Sequence, residues 1–492
     1  VLRALSSSGA LAFLALVAGG SVAGCATALG PGYVVEKQEV RVEFLPKQQA
    51  ISISAEYRLV NSGNQDLHAL EVRLPGRRFD PQNPQAFWDD AAAAITPSPD
   101  TPRNTLVRFP SAWKTGEAHS VRFSYRIRSE PAREDIVGFA PDAFYLSAEG
   151  WAPQLPQTRG VFGFGGVPPK RWELIAYVPE DFLVHASGKE KRAKGRPGEH
   201  RFEQTMQDLT PFVVAGRYRE TLQTLAENQK VHIWTRGTVA SAQLRQSGQS
   251  LSQTLATYDR LFGARGKSRP PLWLVECPAA NGCIFPTETG YSNVLYGSEN
   301  ARSARLISRD SVLFKSGETM GSLEAAAGPA LAEGWLGYGQ NPGYYEQQPP
   351  MTALPAFATA MAMEASSGRK VTDEIVRRAL REIPERPAAS SIVPASVTRA
   401  KSLLLFYALR QRVGADAFQK ALQHMLYARQ SRGFDVTDLI SALDEESHQE
   451  VGPYIRQWIK RPGVPDEFRK QFTGAINASN VQQNTSHQET TR

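Results

Sequence analysis

The side chains able to do chemistry in this 492-residue chain are few and widely spaced. Histidine is the commonest metal ligand and a frequent general base, yet none of the eight lies between His232 and His424. Those two stand singly on a strand-like and a helix-like stretch and read as structural or surface groups. Ser367-Gly368-Arg369-Lys370 has the S-x-x-K spacing in which a lysine can deprotonate a serine, but the stretch is polar and the companion motifs of such a site are absent. Gly163-Phe164-Gly165-Gly166 has neither the lysine nor the following helix of a phosphate loop, so it reads as a turn. Of three cysteines, Cys277 and Cys283 form an isolated C-x5-C pair. A small-loop disulfide is expected there; half a zinc site and two buried thiols are the other readings.

Cys25 differs in what precedes it. Arg3, the apolar run Leu11 to Ala18 and the small residues Gly19 to Gly24 form the basic, apolar and cleavage regions of a secretory signal. The apolar core is too short to span a bilayer. Val22-Ala23-Gly24-Cys25 resembles the lipobox of bacterial lipoproteins. That resemblance implies cleavage before Cys25, lipid attachment at its thiol and stable anchoring by more than one acyl chain. Residues 1–24 are then a signal peptide and 25–33 a tether, the alternative being an ordinary signal with a coincidental cysteine. An aspartate after the cysteine would resemble an inner-membrane retention signal; the residue is Ala26, so the expected location is the cell envelope, at the outer membrane or a periplasmic face.

With 41% hydrophobic and 21% charged residues the chain can pack two or three domains, and no later apolar run reaches spanning length. The net charge of +7 is spread along the chain without the aromatic-interleaved basic stripe of a nucleic-acid binder. No nucleic-acid partner is expected.

The elements that must position these residues are of two kinds. Val34 to Phe44, Ala50 to Val60 and Leu67 to Leu74 alternate apolar and polar residues between turn signals and read as successive antiparallel strands. Further strand candidates at Thr105 to Phe109, Ser120 to Ile127, Trp172 to Val178, His200 to Gln207 and Pro211 to Tyr218 make residues 34–222 a β-sandwich or saddle. From about residue 245 the period becomes helical, first at Ser247 to Leu261. After a short strand at Pro270 to Cys277, four helices follow at Lys401 to Val413, Ala415 to Arg429, Asp435 to Glu446 and Gln449 to Lys460. Asp435 or Thr437 can cap the third of these. Residues 467–492 read as a polar, disordered tail. The fold class is α+β, a β-rich domain followed by a mainly helical one.

Leu331-Ala332-Glu333-Gly334-Trp335-Leu336-Gly337-Tyr338 resembles the L-N-E-G-F-A-x-Y segment of the membrane alanyl aminopeptidases, a gluzincin zinc-peptidase family. Lys401-Ser402-Leu403-Leu404-Leu405-Phe406 is similar to that family's K-G-A-x-V-L. Gln457-Trp458-Ile459-Lys460-Arg461-Pro462-Gly463-Val464-Pro465 is similar to the end of its catalytic domain. Gly150-Trp151-Ala152-Pro153 and Pro211-Phe212-Val213-Val214-Ala215-Gly216 extend the likeness into the first half. The resemblance implies a thermolysin-like domain over residues 223–466.

Family chemistry requires H-E-x-x-H on one helix, with two histidines on zinc, a glutamate base between them, and a third, glutamate ligand beyond eighteen intervening residues. With Glu333 as that third ligand, counting back puts the histidine positions at Asp310 and Phe314 and the base at Ser311. Phe314 has no lone pair for a metal, and Ser311 is a weak base. No shift of frame supplies a histidine. The family's transition-state tyrosine position is Arg399, and its G-x-M-E-N loop is replaced by Cys277-Pro278-Ala279-Ala280-Asn281-Gly282-Cys283. Catalytic and metal residues and a cofactor are therefore not expected, and Glu333 is left as a vestige. The expectation is a zinc-less, peptidase-like lipoprotein that binds or scaffolds, with a peptide or protein partner in a cleft near Glu333, Trp335 and Tyr338. The alternative is a metallopeptidase or other hydrolase with a rearranged site.

Overall fold

A computed structural model describes residues 32–472, except 76–80, 100–103, 129–136, 147–149, 157–166, 168, 192–194, 206–211, 226–227, 239, 264–270, 279–293, 296–303, 309, 315–326, 329–330, 333–334, 337–350, 385–393 and 429–434. Cys25, Cys283, Glu333 and Tyr338 lie outside the described residues.

The strands are Tyr33–Leu45 (β1), Ala50–Asn61 (β2), Leu67–Val72 (β3), Gln82–Trp88 (β4), Ala91–Ala93 (β5), Ile95–Pro97 (β6), Thr105–Trp113 (β7), Ala118–Arg128 (β8), Val137–Ala140 (β9), Ala143–Leu146 (β10), Arg171–Tyr177 (β11), Leu183–Ala186 (β12), Lys189–Lys191 (β13), Glu199–Thr205 (β14), Val213–Gly216 (β15), Arg219–Thr224 (β16), Lys230–Thr235 (β17), Leu272–Glu276 (β18), Ala304–Ser308 (β19) and Ser311–Phe314 (β20). They form an eight-stranded sheet β13-β14-β11-β1-β2-β8-β4-β5, a three-stranded sheet β3-β7-β6, a four-stranded sheet β12-β15-β10-β9 and a five-stranded sheet β16-β17-β18-β20-β19.

Period-two alternation sets the register of the large sheet. Phe202, Leu174, Val40, Ala55, Phe123 and Ala86 lie side by side on six strands, and all are buried. One residue out of step, Glu173 lies within 2.8 Å of Lys37 and 2.6 Å of Arg201, and Lys37 also pairs with Glu39. Thus one face forms a core with the smaller sheets and the other carries a charge network. Two sequence expectations change. The strand from Leu67 leaves β2 to pair with β7, and β1 pairs in parallel with β11, so the early strands are not a simple antiparallel succession.

The helices are Ser241–Phe262 (α1), Leu354–Ser367 (α2), Arg369–Arg381 (α3), Ala395–Val413 (α4), Ala415–Ala428 (α5), Val436–Ser447 (α6) and Gly452–Lys460 (α7). Asp435 caps α6: its carboxylate accepts from the Thr437 and Asp438 amides, and Asp438 returns a bond to the Asp435 amide. Residues 354 to 362 of α2 are all buried, so this helix is apolar on every side and runs through the core. No described helix is long and apolar enough to cross a membrane.

β16 begins at Arg219 and belongs to the five-stranded sheet. At the other end residues 466–472 are helical, and Phe468 and Phe472 pack into the core beside Trp458.

Candidate functional site

The centre of the second domain is where the spacing argument placed a vestigial zinc site. β20 runs through it: Ser311, Val312, Leu313 and Phe314 pair in parallel with Trp273, Leu274, Val275 and Glu276 of β18. A strand turns successive side chains to opposite faces, so positions 311 and 314 cannot share a helix face. Counting back from Glu333 therefore lands on a strand at Ser311 to Phe314. Val312 and Phe314 face the helical core, whereas Leu313 faces the first domain. Ser311 is buried and lies 2.8 Å from His185 Nε2 of β12.

Beyond β20 the described helical residues before α2 include Ala327, Gly328, Leu331, Ala332, Trp335 and Leu336. All but the half-buried Trp335 are buried. This segment meets α2 closely. A β-carbon on Gly328 would lie 3.0 Å from Thr359 Cγ2 and 3.4 Å from Tyr258 Oη, so glycine permits the approach. The buried Tyr258 of α1 donates to the Gly328 carbonyl at 2.8 Å and lies 3.1 Å from Thr359 Oγ1. Burial pushes the Tyr258 phenol well above its ordinary range, so it remains a donor. Trp335 packs edge-on to Tyr258 and donates to the Gly263 carbonyl at 3.4 Å. It packs against the helical core.

Zinc requires three protein donors with nitrogen, sulfur or carboxylate lone pairs. Across this helix pair the described, buried positions hold alanine, glycine, leucine, proline, phenylalanine, threonine and methionine. Among the described residues no group of three or more His, Cys, Asp or Glu is placed to hold a metal.

The remaining candidate residues have separate roles. Arg399 on α4 is half-buried, with an Nε that is enclosed and has no hydrogen-bond partner. Lys401 instead closes the end of α7, donating to the Ile459 carbonyl at 3.0 Å and to the Arg461 carbonyl, while Trp458 Nε1 returns a bond to the Lys401 carbonyl. Ser367 ends α2 and Arg369 begins α3, so the S-x-x-K stretch is a helix junction. Cys277 is disulfide-bonded and buried. Its neighbourhood is tied down by Arg236, whose amide donates to Glu276 at 2.7 Å and whose guanidinium bonds the Pro278 carbonyl and Asp142.

His232 is not isolated. Its Nδ1 lies 2.6 Å from Glu220 Oε1, and its ring stacks on Trp273, with centroids 4.0 Å apart. His185 stacks 4.1 Å from the same indole, so both imidazoles pack against Trp273 at the domain junction. Sequence reasoning passed over His185. Only its place on an edge strand opposite β20 gives it meaning, and that pairing is not visible in one dimension.

No protein-family model matches the chain, and no curated protein matches its sequence. The fold is nevertheless similar to that of solved two-domain M1 zinc metallopeptidases. An M1 zinc metallopeptidase mutant from Deinococcus radiodurans, solved with a Tyr-Ser-Ala substrate, is similar with a TM-score of 0.56 at 16% identity, over 88% of this chain and 95% of that one. An M1 zinc metallopeptidase structure from the same organism gives 0.55 at 15%, over 88% and 95%. Legionella pneumophila aminopeptidase A, in complex with aspartic acid, gives 0.55 at 14%, over 88% of this chain and 50% of that chain. At such identity the likeness establishes the fold.

Proposed function

We propose that this chain is a non-catalytic relative of the M1 aminopeptidases, a zinc-less binding or scaffolding lipoprotein tethered through Cys25 to the cell envelope. The observation that carries the reading is the apolar packing of Ala327, Gly328, Leu331, Ala332 and Leu336 near α2, where Tyr258, Gly328 and Thr359 make a close contact and the described residues offer no metal donor set. The absence of histidine between His232 and His424 leaves a zinc helix in this segment without its two nitrogen ligands. Retention of the two-domain fold would then serve recognition, with a peptide or protein as the partner.

The second reading is a peptidase with a rearranged site, and what favours it is the fold, shared with enzymes of that class. Turnover of a panel of aminoacyl-arylamides, with and without a chelator, separates the two. The proposal expects no chelator-sensitive hydrolysis. Hydrolysis that the chelator abolishes and zinc restores would overturn it.

A further inference from the structure

The junction between the domains carries a titratable group that neither reading uses. The four-stranded sheet of the first domain packs on the five-stranded sheet of the second through Ala143, Tyr145, Phe212 and Val214 on one side and Trp234, Val275 and Leu313 on the other. His185 stands at this contact. Its ring stacks on Trp273, meets Phe212 and Trp234 edge-on, and bonds Ser311 of β20.

The charged groups around it are engaged elsewhere. From β16, Glu220 bonds His232 and the Trp234 indole N–H. From β18, Glu276 accepts from the Arg236 amide, and Asp142, beside β10, pairs with the Arg236 guanidinium. His232 of β17 is on the same indole as His185 and adds like-charge repulsion if both are protonated. Among the described residues no carboxylate contacts His185. His185 is half-buried, so an imidazolium there would lose part of its hydration, with the π-face of Trp273 and the Ser311 hydroxyl as its partners.

We propose that His185 is an acid-sensitive latch: neutral, it closes the domain junction onto Ser311 and Trp273, and its protonation opens that junction. Burial, and secondarily His232, pushes the His185 pKa from 6.5 down to about 3. The sign follows directly. An opened junction takes up the proton and the closed one does not, so closure is complete above about pH 6.5 and weakens as pH falls toward 3. With those two values as limits the opening constant rises by at most about fiftyfold between pH 6.5 and 4.5, less to the extent that the half-buried ring keeps its hydration. A protein exposed on the outer side of a bacterial membrane would meet such changes directly. The latch itself does not depend on whether the chain binds a partner or turns over a substrate.

Hydrogen exchange followed by mass spectrometry on the full chain in detergent, corrected for intrinsic exchange at each pH, tests this. Peptides covering β12 and β20 should lose protection with acid before those covering β1 and β2, by a factor of tens between pH 6.5 and 4.5. His185→Gln should hold that loss below threefold, whereas His200→Gln, on the outer sheet beside Glu190, should open as the unmodified chain does. The same acid response in His185→Gln as in the unmodified chain would overturn the proposal. Should His185→Gln not fold, the unmodified chain decides alone: simultaneous loss from β1, β2, β12 and β20 would also overturn it.

Discussion

Removing one hydroxyl, by Tyr258→Phe, probes the packed centre of the second domain. The Tyr258 hydroxyl has a single proton, which goes to the Gly328 carbonyl at 2.8 Å, and Thr359 can in turn bond either Tyr258 or the Pro355 carbonyl at 2.9 Å. Tyr258, Gly328 and Thr359 are all buried, so no water is at hand to replace the lost donor. Leaving that carbonyl unpaired costs about 1–3 kcal/mol. With a urea slope of about 3 kcal/mol/M, the midpoint of the helical domain should fall by about 0.3–1 M. Thr359→Val removes the second hydroxyl at nearly constant shape. Because Tyr258 and Thr359 are bonded to each other, the double variant should cost less than the sum of the singles by about 0.5–1 kcal/mol. Urea titrations monitored by circular dichroism give all four stabilities. A Tyr258→Phe midpoint unchanged from the parent, or strictly additive costs, would refute the account of this contact.

Other outcomes follow from contacts of the same kind. Lys401→Met removes the ammonium from two carbonyls at the end of α7 and should cost about 1–2 kcal/mol by the same titration, with fraying seen first in the 452–460 amides by hydrogen exchange. Burial alone would raise the Glu39 carboxyl, but hydrogen bonds from Lys37 and Arg41 outweigh it and hold its pKa below 4.5. Glu39→Gln should therefore destabilise the chain by about 1 kcal/mol at pH 7, and the difference should close as pH drops below 4.5 through the folded pKa. Cys25→Ala should leave the membrane fraction on cell fractionation; if it remains there, the tether lies elsewhere.

The β-rich half was largely readable because a sheet with one buried face writes its geometry into alternation, as in Val40, Val42, Ile51 and Ile53. Capping of α6 was readable too, since Asp435 and Asp438 are a local signal. Ser311 to Phe314 was not. Four residues buried on both faces have no period, and nothing local separates a short strand from part of a helix. The count from Glu333 therefore fell on a strand. α2 escaped for a related reason: a helix apolar all round lacks the amphipathic stripe that would mark it. The cluster around Trp273 depends on five separate strands, β12, β16, β17, β18 and β20, and no sequence spacing encodes it.

The proposed zinc-less role rests on a sequence with no histidine between His232 and His424. Its most direct test is the metal content of the full chain, purified from cells supplied with zinc, dialysed against metal-free buffer and measured by plasma mass spectrometry. Zinc should be far below stoichiometry, and added zinc should not move the thermal transition. Stoichiometric zinc, removed by a chelator with a fall in the transition temperature, would contradict it.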